Sequence, residues 1–111
     1  MATVTELNDS TFPETIKEGV TLVDFWAPWC APCMMQGPIV ENVAEKTGDK
    51  AKVAKVNVDE AQPAATELGI RAIPTVFLFK DGKPVQQFVG VTQEGPLLAA
   101  IEEALSGAGS P

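Results

Sequence analysis

Two cysteines three positions apart, Cys30 and Cys33 in the run Trp29-Cys30-Ala31-Pro32-Cys33, are the residues of this chain best equipped for covalent chemistry. A lone pair at this spacing has three readings: a cycling dithiol, half of a metal site shared between chains, or two small core residues. The chain contains no histidine, and two thiolates alone do not complete a tetrahedral zinc site, so no metal is expected within one chain. Met34 follows Cys33, which removes the haem-attachment pattern CxxCH. Met1 to Asn8 carry neither a basic stretch nor a continuous apolar run and do not read as a signal peptide. In a reducing compartment a structural disulfide does not persist, so the pair reads as one that cycles.

The elements around the pair decide what it can do. Thr21 to Trp26, TLVDFW, is a short apolar run with one acid inside it and predicts a strand buried on both faces in mid-sheet. A helix is expected from just after Cys30 to about Lys46, with Ile39, Val40 and Val43 inward, Gly48 behind its stop and a kink at Pro38. The cysteines therefore lie at a strand-to-helix junction. Unpaired N–H groups and the positive dipole end at the helix mouth stabilise a thiolate at Cys30 and draw its pKa toward neutrality. Cys33, one turn further in and expected to be the less accessible of the two, can attack a mixed disulfide formed by Cys30. Pro32 presets φ in the first turn, where its missing N–H costs little.

Further strands are predicted at Ala51 to Val58 and Thr75 to Phe79, with Asp81-Gly82 turning the latter into a partner at Pro84 to Val89. Ser10 is the expected cap of a short helix bearing Phe12 and Ile16. A last helix after Thr92 is expected to face inward through Leu98, Ile101 and Leu105. Ser106 to Pro111 reads as a flexible tail on a single domain spanning 1–111. This order predicts an α/β fold, a mixed central sheet with helices on both faces. Hydrophobic residues make up 45% of the chain, enough for one core. No segment is long enough to span a membrane, and a formal charge of −7 argues against nucleic acid as a partner.

Several blocks in one order resemble the thioredoxin family: VDFWAPWCAPC (Val23 to Cys33), Pro38, VAKVNVDE (Val53 to Glu60), GIRAIPTVFLFKDGK (Gly69 to Lys83) and Val89-Gly90. The resemblance covers Val4 to Leu105. It implies a thioredoxin fold with about five strands and four helices, and a cytoplasmic, monomeric protein-disulfide reductase. It further implies a redox-active Cys30–Cys33 disulfide, no bound cofactor, and regeneration by a thioredoxin reductase drawing on NADPH. By the same resemblance Cys30 is the nucleophile, Cys33 the resolving thiol, and Pro74 a cis proline whose neighbour Ile73 offers a backbone edge to an extended substrate. Asp24 corresponds to a buried acid, Lys55 to its strand partner, Trp26 and Trp29 to aromatic residues shielding the site, and Gly90 to a site-shaping glycine.

Each of these carries a plainer alternative. Asp24 reads either as a proton acceptor with a pKa raised by burial or as a structural acid paired with Lys55. Pro74 on base rates is trans, and Trp26 is simple packing. Three departures from the family pattern stand out: Ala31 for the usual Gly, Met34 for the usual Lys and Gly37 before Pro38. The first tunes redox potential and the second removes a positive charge that partners meet. Two other functions remain in view. One is a docking module without turnover; the other is an oxidase or isomerase, against which the absence of a His between the cysteines argues.

Overall fold

The computed structural model describes residues 4–107. Its strands are β1 (Thr5–Leu7), β2 (Val20–Trp26), β3 (Lys52–Asn57), β4 (Thr75–Lys80) and β5 (Lys83–Val89); its helices are α1 (Thr11–Ile16), α2 (Ala31–Thr47), α3 (Gln62–Glu67) and α4 (Glu94–Ser106), with a 3-10 turn at Gly48–Lys50. The sheet order is β1-β3-β2-β4-β5. β3 runs parallel to both β1 and β2, whereas β4 is antiparallel to β2 and to β5. Among the described residues this is the mixed five-stranded sheet with four helices that the sequence implied.

β2 holds the centre because six of its seven residues are buried, as a strand covered on both faces requires. The two-residue period splits its side chains between two cores. Val20 and Leu22 join Val40, Val43, Leu97 and Ile101 beneath α2 and α4. Val23 and Phe25 join Phe12, Val56, Phe77 and Phe79 beneath α1 and α3. In that second core Phe12 meets both Phe25 and Phe79 edge-on, at centroid distances of 5.9 and 5.6 Å. The same alternation puts Asp24 on the α2 side, continuing the row of Val20 and Leu22.

Several expectations change at the level of individual residues. β1 and α3 carry too little periodicity to be read individually. α2 continues through Pro38 to Thr47 and stops at Gly48. In α4 the buried face is Leu97, Ala100, Ile101 and Ala104; of the three expected residues Ile101 is buried, Leu98 packs half-buried against the same core, and Leu105 is not part of it. Leu105 is exposed, because the buried row runs through Leu97, Ile101 and Ala104 and leaves Leu105 at its solvent side. α4 also extends through Ser106 and is capped by Gly107, and positions 108–111 of the expected tail lie outside the described residues.

The expected Ser10 cap is replaced by Asn8. Ser10 already has helical dihedrals and makes no capping bond through its side chain. Asn8 Oδ1 instead accepts from the N–H groups of Ser10 and Thr11, each at 2.9 Å, an arrangement that an Asn side chain two or three residues upstream readily adopts. Asn8→Ala is therefore expected to cost about 1 kcal/mol of stability in urea unfolding, with Ser10→Ala costing clearly less. The reverse ranking would return the capping role to Ser10.

Candidate active site

β2 ends at Trp26 on the carboxyl edge of the sheet, and a tight turn closed by Cys30 N–H to Ala27 O at 3.2 Å carries the chain to the mouth of α2. Cys30 is the N-cap, with extended dihedrals (φ −96°, ψ 106°), and Ala31 and Pro32 fill the first helical positions. The Cys33 N–H donates to Cys30 O at 3.1 Å and to Cys30 Sγ at 3.2 Å, so a sulfur stands where a Ser or Asp oxygen usually caps a helix start. Cys30 and Cys33 are joined as a disulfide with Cα atoms 5.3 Å apart.

Both cysteines are almost equally buried in this oxidised form, at 5% and 2% exposure. The expected contrast in accessibility is therefore absent here, and their surroundings distinguish them instead. Cys30 Sγ lies 3.7 Å from the carbonyl oxygen of Ile73, and the Ile73–Pro74 peptide is cis. Beside it, an open groove of about 150 Å³ is lined by Trp29, Val58, Ile70, Arg71 and Ile73. Trp29 is 69% exposed, and its indole N–H donates to Asp59 Oδ2 at 2.8 Å, which fixes the ring at the rim. Gly90 adopts a left-handed φ of +88°, and its N–H donates to Pro74 O at 2.9 Å.

Cys33 instead borders a second open hollow, of about 180 Å³, that it shares with Asp24, Trp26, Met34, Pro38, Glu41 and Lys55. Asp24 is buried, and its Oδ1 has no hydrogen-bond partner among the described residues. Removal from water raises its pKa from the ordinary 3.8 to about 7; the Lys55 ammonium opposes this shift and the Glu6 carboxylate adds to it. Lys55 is the register partner of Asp24 across β2 and β3. Its ammonium nevertheless turns to Glu6 Oε1 at 4.0 Å and lies 5.4 Å from the centroid of the Trp26 ring. The Trp26 N–H donates to Glu6 Oε2 at 3.3 Å.

The structure thus brings together Asp24, Trp26, Cys33 and Lys55 on one side of the disulfide, and Trp29, Cys30, Ile73, Pro74 and Gly90 on the other. Ala31 and Pro32 sit exposed above it. Sequence reasoning missed Gln36, Asp59 and Glu6. The signal for Gln36 was its place three residues after Cys33 on an otherwise apolar inward row.

Residues 3–103 match the family model described as Thioredoxin. The chain belongs to the thioredoxin family. It is 41% identical over 107 residues to Thioredoxin 1 of Synechococcus elongatus, covering 95% of this chain and all of that one. With the Thioredoxin of Alicyclobacillus acidocaldarius it shares 45% identity over 105 residues, or 94% of this chain and 99% of the relative. The crystal structure of a thioredoxin from Malassezia sympodialis superposes with a TM-score of 0.84 at 38% identity, covering 95% of this chain and 93% of that one. The protein is a thiol–disulfide oxidoreductase of the protein-disulfide reductase type, with Cys30 and Cys33 as its cysteine pair. Among the described residues no cluster of three or more His, Cys, Asp or Glu is placed to hold a metal, and no helix is long and apolar enough to cross a membrane.

Burial of Asp24 makes stability depend on pH. Its folded pKa lies above the unfolded value, so between 3.8 and about 7 the folded state binds more protons. Stability is then lost as pH rises through that window. At about 1.4 kcal/mol per pKa unit, the ionised carboxylate costs at most about 4 kcal/mol above the window. Asp24→Asn should accordingly be more stable than wild type by a few kcal/mol at pH 8 and no more stable at pH 3.5, as read by urea midpoints. A variant less stable at pH 8 would instead mark Asp24 as half of a stabilising pair with Lys55.

Proposed function

We propose that the two sides of the disulfide divide the reduction into two steps. In the dithiol form Cys30 attacks a substrate disulfide as the thiolate. One substrate sulfur leaves as a thiolate that takes up a proton from water, and the other stays bonded to Cys30. Cys33 then gives up its proton to Asp24 and attacks Cys30 Sγ, which breaks the mixed disulfide, expels the second substrate sulfur as a thiolate that water protonates, and leaves Cys30–Cys33 oxidised. Two electrons pass to the substrate in each cycle. The substrate chain lies extended along the Ile73 edge, flanked by Trp29 and Gly90, and pairs with it through backbone hydrogen bonds.

The observation that carries this reading is the Cys33 N–H directed at Cys30 Sγ at the mouth of α2. It offers a hydrogen bond and the positive helix end to negative charge on that sulfur and to no other. A proton acceptor that titrates near neutrality beside Cys33 supports the second step, since such a group takes and returns protons at the working pH. The electrons come from NADPH through a thioredoxin reductase, the chain itself holding no cofactor. The protein works as a monomeric electron carrier in the cytoplasm.

Cys30→Ser is expected to abolish reduction of insulin disulfides by dithiothreitol. Cys33→Ser should keep the first attack and accumulate substrate as mixed disulfides, because the thiol that releases it from within the same molecule is gone. Iodoacetamide at neutral pH should label Cys30 first in the reduced protein. Trapping by the Cys30 variant but not by the Cys33 variant would reverse the two roles, and the absence of turnover in the wild type would leave a docking module.

A further inference from the structure

Gln36 is fully buried, at 0% exposure, on the inward face of α2 in a row that otherwise reads Cys33, Val40 and Val43. Burying an amide costs free energy unless its polar atoms are satisfied. Both ends of this amide are used on one backbone residue. Oε1 accepts from the Thr92 N–H at 2.7 Å, and Nε2 donates to the Thr92 carbonyl at 3.0 Å. Thr92 lies in the connection between β5 and α4. Its hydroxyl donates to Gly90 O at 3.1 Å, and the Gly90 N–H donates to Pro74 O at 2.9 Å. An unbroken chain of hydrogen bonds therefore runs from α2, one turn beyond Cys33, through Thr92 and Gly90 to Pro74. The next residue back, Ile73, faces Cys30.

We propose that Gln36 is a positioning residue for substrate binding: it ties the Gly90–Thr92 segment, and through it the Pro74 edge of the groove, to the helix that carries the two cysteines. An amide end can accept from a backbone N–H and donate to a backbone carbonyl at once, through two separate atoms and without bringing charge into the core. An aliphatic side chain of the same bulk fills the space but leaves both Thr92 groups without a partner. The segment then has no fixed distance from α2, and an extended substrate must order the groove as it binds. The cost falls on binding, not on the exchange of sulfurs at Cys30, because Gln36 touches neither sulfur.

The inference rests on the proposed use of the Ile73 and Gly90 edge by the substrate. It is tested with a disulfide-bridged peptide as substrate for the wild type, Gln36→Leu and Gln36→Glu. In Gln36→Leu, KM should rise roughly tenfold, the equivalent of a net loss of about 1.4 kcal/mol, and kcat should change by less than about twofold. Amide hydrogen exchange at Thr92 should accelerate in the same variant. In Gln36→Glu the protonated acid can both accept from and donate to Thr92, whereas the carboxylate only accepts. Its KM relative to wild type should therefore climb with pH, and this arm holds even where Gln36→Leu folds poorly. Unchanged KM, a fall confined to kcat, unaltered Thr92 exchange, or a pH-independent KM ratio for Gln36→Glu each overturns the proposal. Failure of the wild type to reduce the peptide at all would overturn the reductase reading instead.

Discussion

The free N–H groups at the start of α2 are the constraint on which the site depends. A helix leaves its first N–H groups without partners inside the helix, and something must satisfy them. Here Cys30 is the cap, and the Cys33 N–H is shared between its carbonyl oxygen and its Sγ. In the proposed mechanism the same sulfur that helps cap the helix is the one that carries the thiolate. That solution demands a rigid approach, since the cap works only if the chain enters α2 with extended dihedrals at Cys30. β2, pinned between β3 and β4 and buried on both faces, provides the approach.

Two cores then keep the two reactive directions apart. α2 and α4 cover one face of the sheet, α1 and α3 the other. The disulfide sits at the edge of the sheet with its own small apolar cluster of Ala27, Cys30 and Cys33, against which Trp26 and Ile73 pack. From that edge Cys30 meets the Ile73 carbonyl while Cys33 looks toward Asp24 across the hollow. The ion pair between Lys46 and Glu94 joins α2 to α4 on the surface, but exposed pairs of this kind contribute little. The buried Gln36 bonds to Thr92 make the more specific connection between α2 and the segment that leads into α4.

Legibility followed periodicity. β2, β3 and β4 were legible as short runs rich in apolar and β-branched residues, α2 and α4 from apolar residues at helix spacing, β5 from the Asp81-Gly82 turn before it, and α1 from Phe12 and Ile16. β1, with three residues, is too short for a pattern to be counted, and α3, QPAATE, has only alanines as apolar residues. The cysteine pair was legible because its neighbours placed it at a helix mouth, and Asp24 because an acid inside an apolar run is conspicuous. Gln36 showed only as an amide on an otherwise apolar inward row, and Glu6 did not show at all. Their importance comes from contacts 56 and 20 residues away in sequence, with Thr92 and Trp26 respectively, and no local pattern encodes those. Ser10 failed as a cap for a related reason. Residue type permitted it, but the backbone dihedrals that decide capping belong to the turn as a whole.

The element that was hardest to read contributes to the property that matters most at the acid. β1 is a three-residue edge strand, yet it carries Glu6, whose carboxylate receives both the Trp26 indole N–H and the Lys55 ammonium. Lys55 is the neighbour of Asp24 in register and, as the opposing charge, it lowers the Asp24 pKa. A closer pairing would draw Asp24 back toward the ordinary carboxylate range and keep it ionised at every physiological pH. An acid held in that state could not exchange protons readily with a thiol. Glu6 acts against this twice. It draws the ammonium toward the sheet edge, and its own negative charge raises the Asp24 pKa further. Asp24 is consequently left with burial as the dominant influence, which raises its pKa to about 7, the range in which the proposed acceptor role suits a carboxyl.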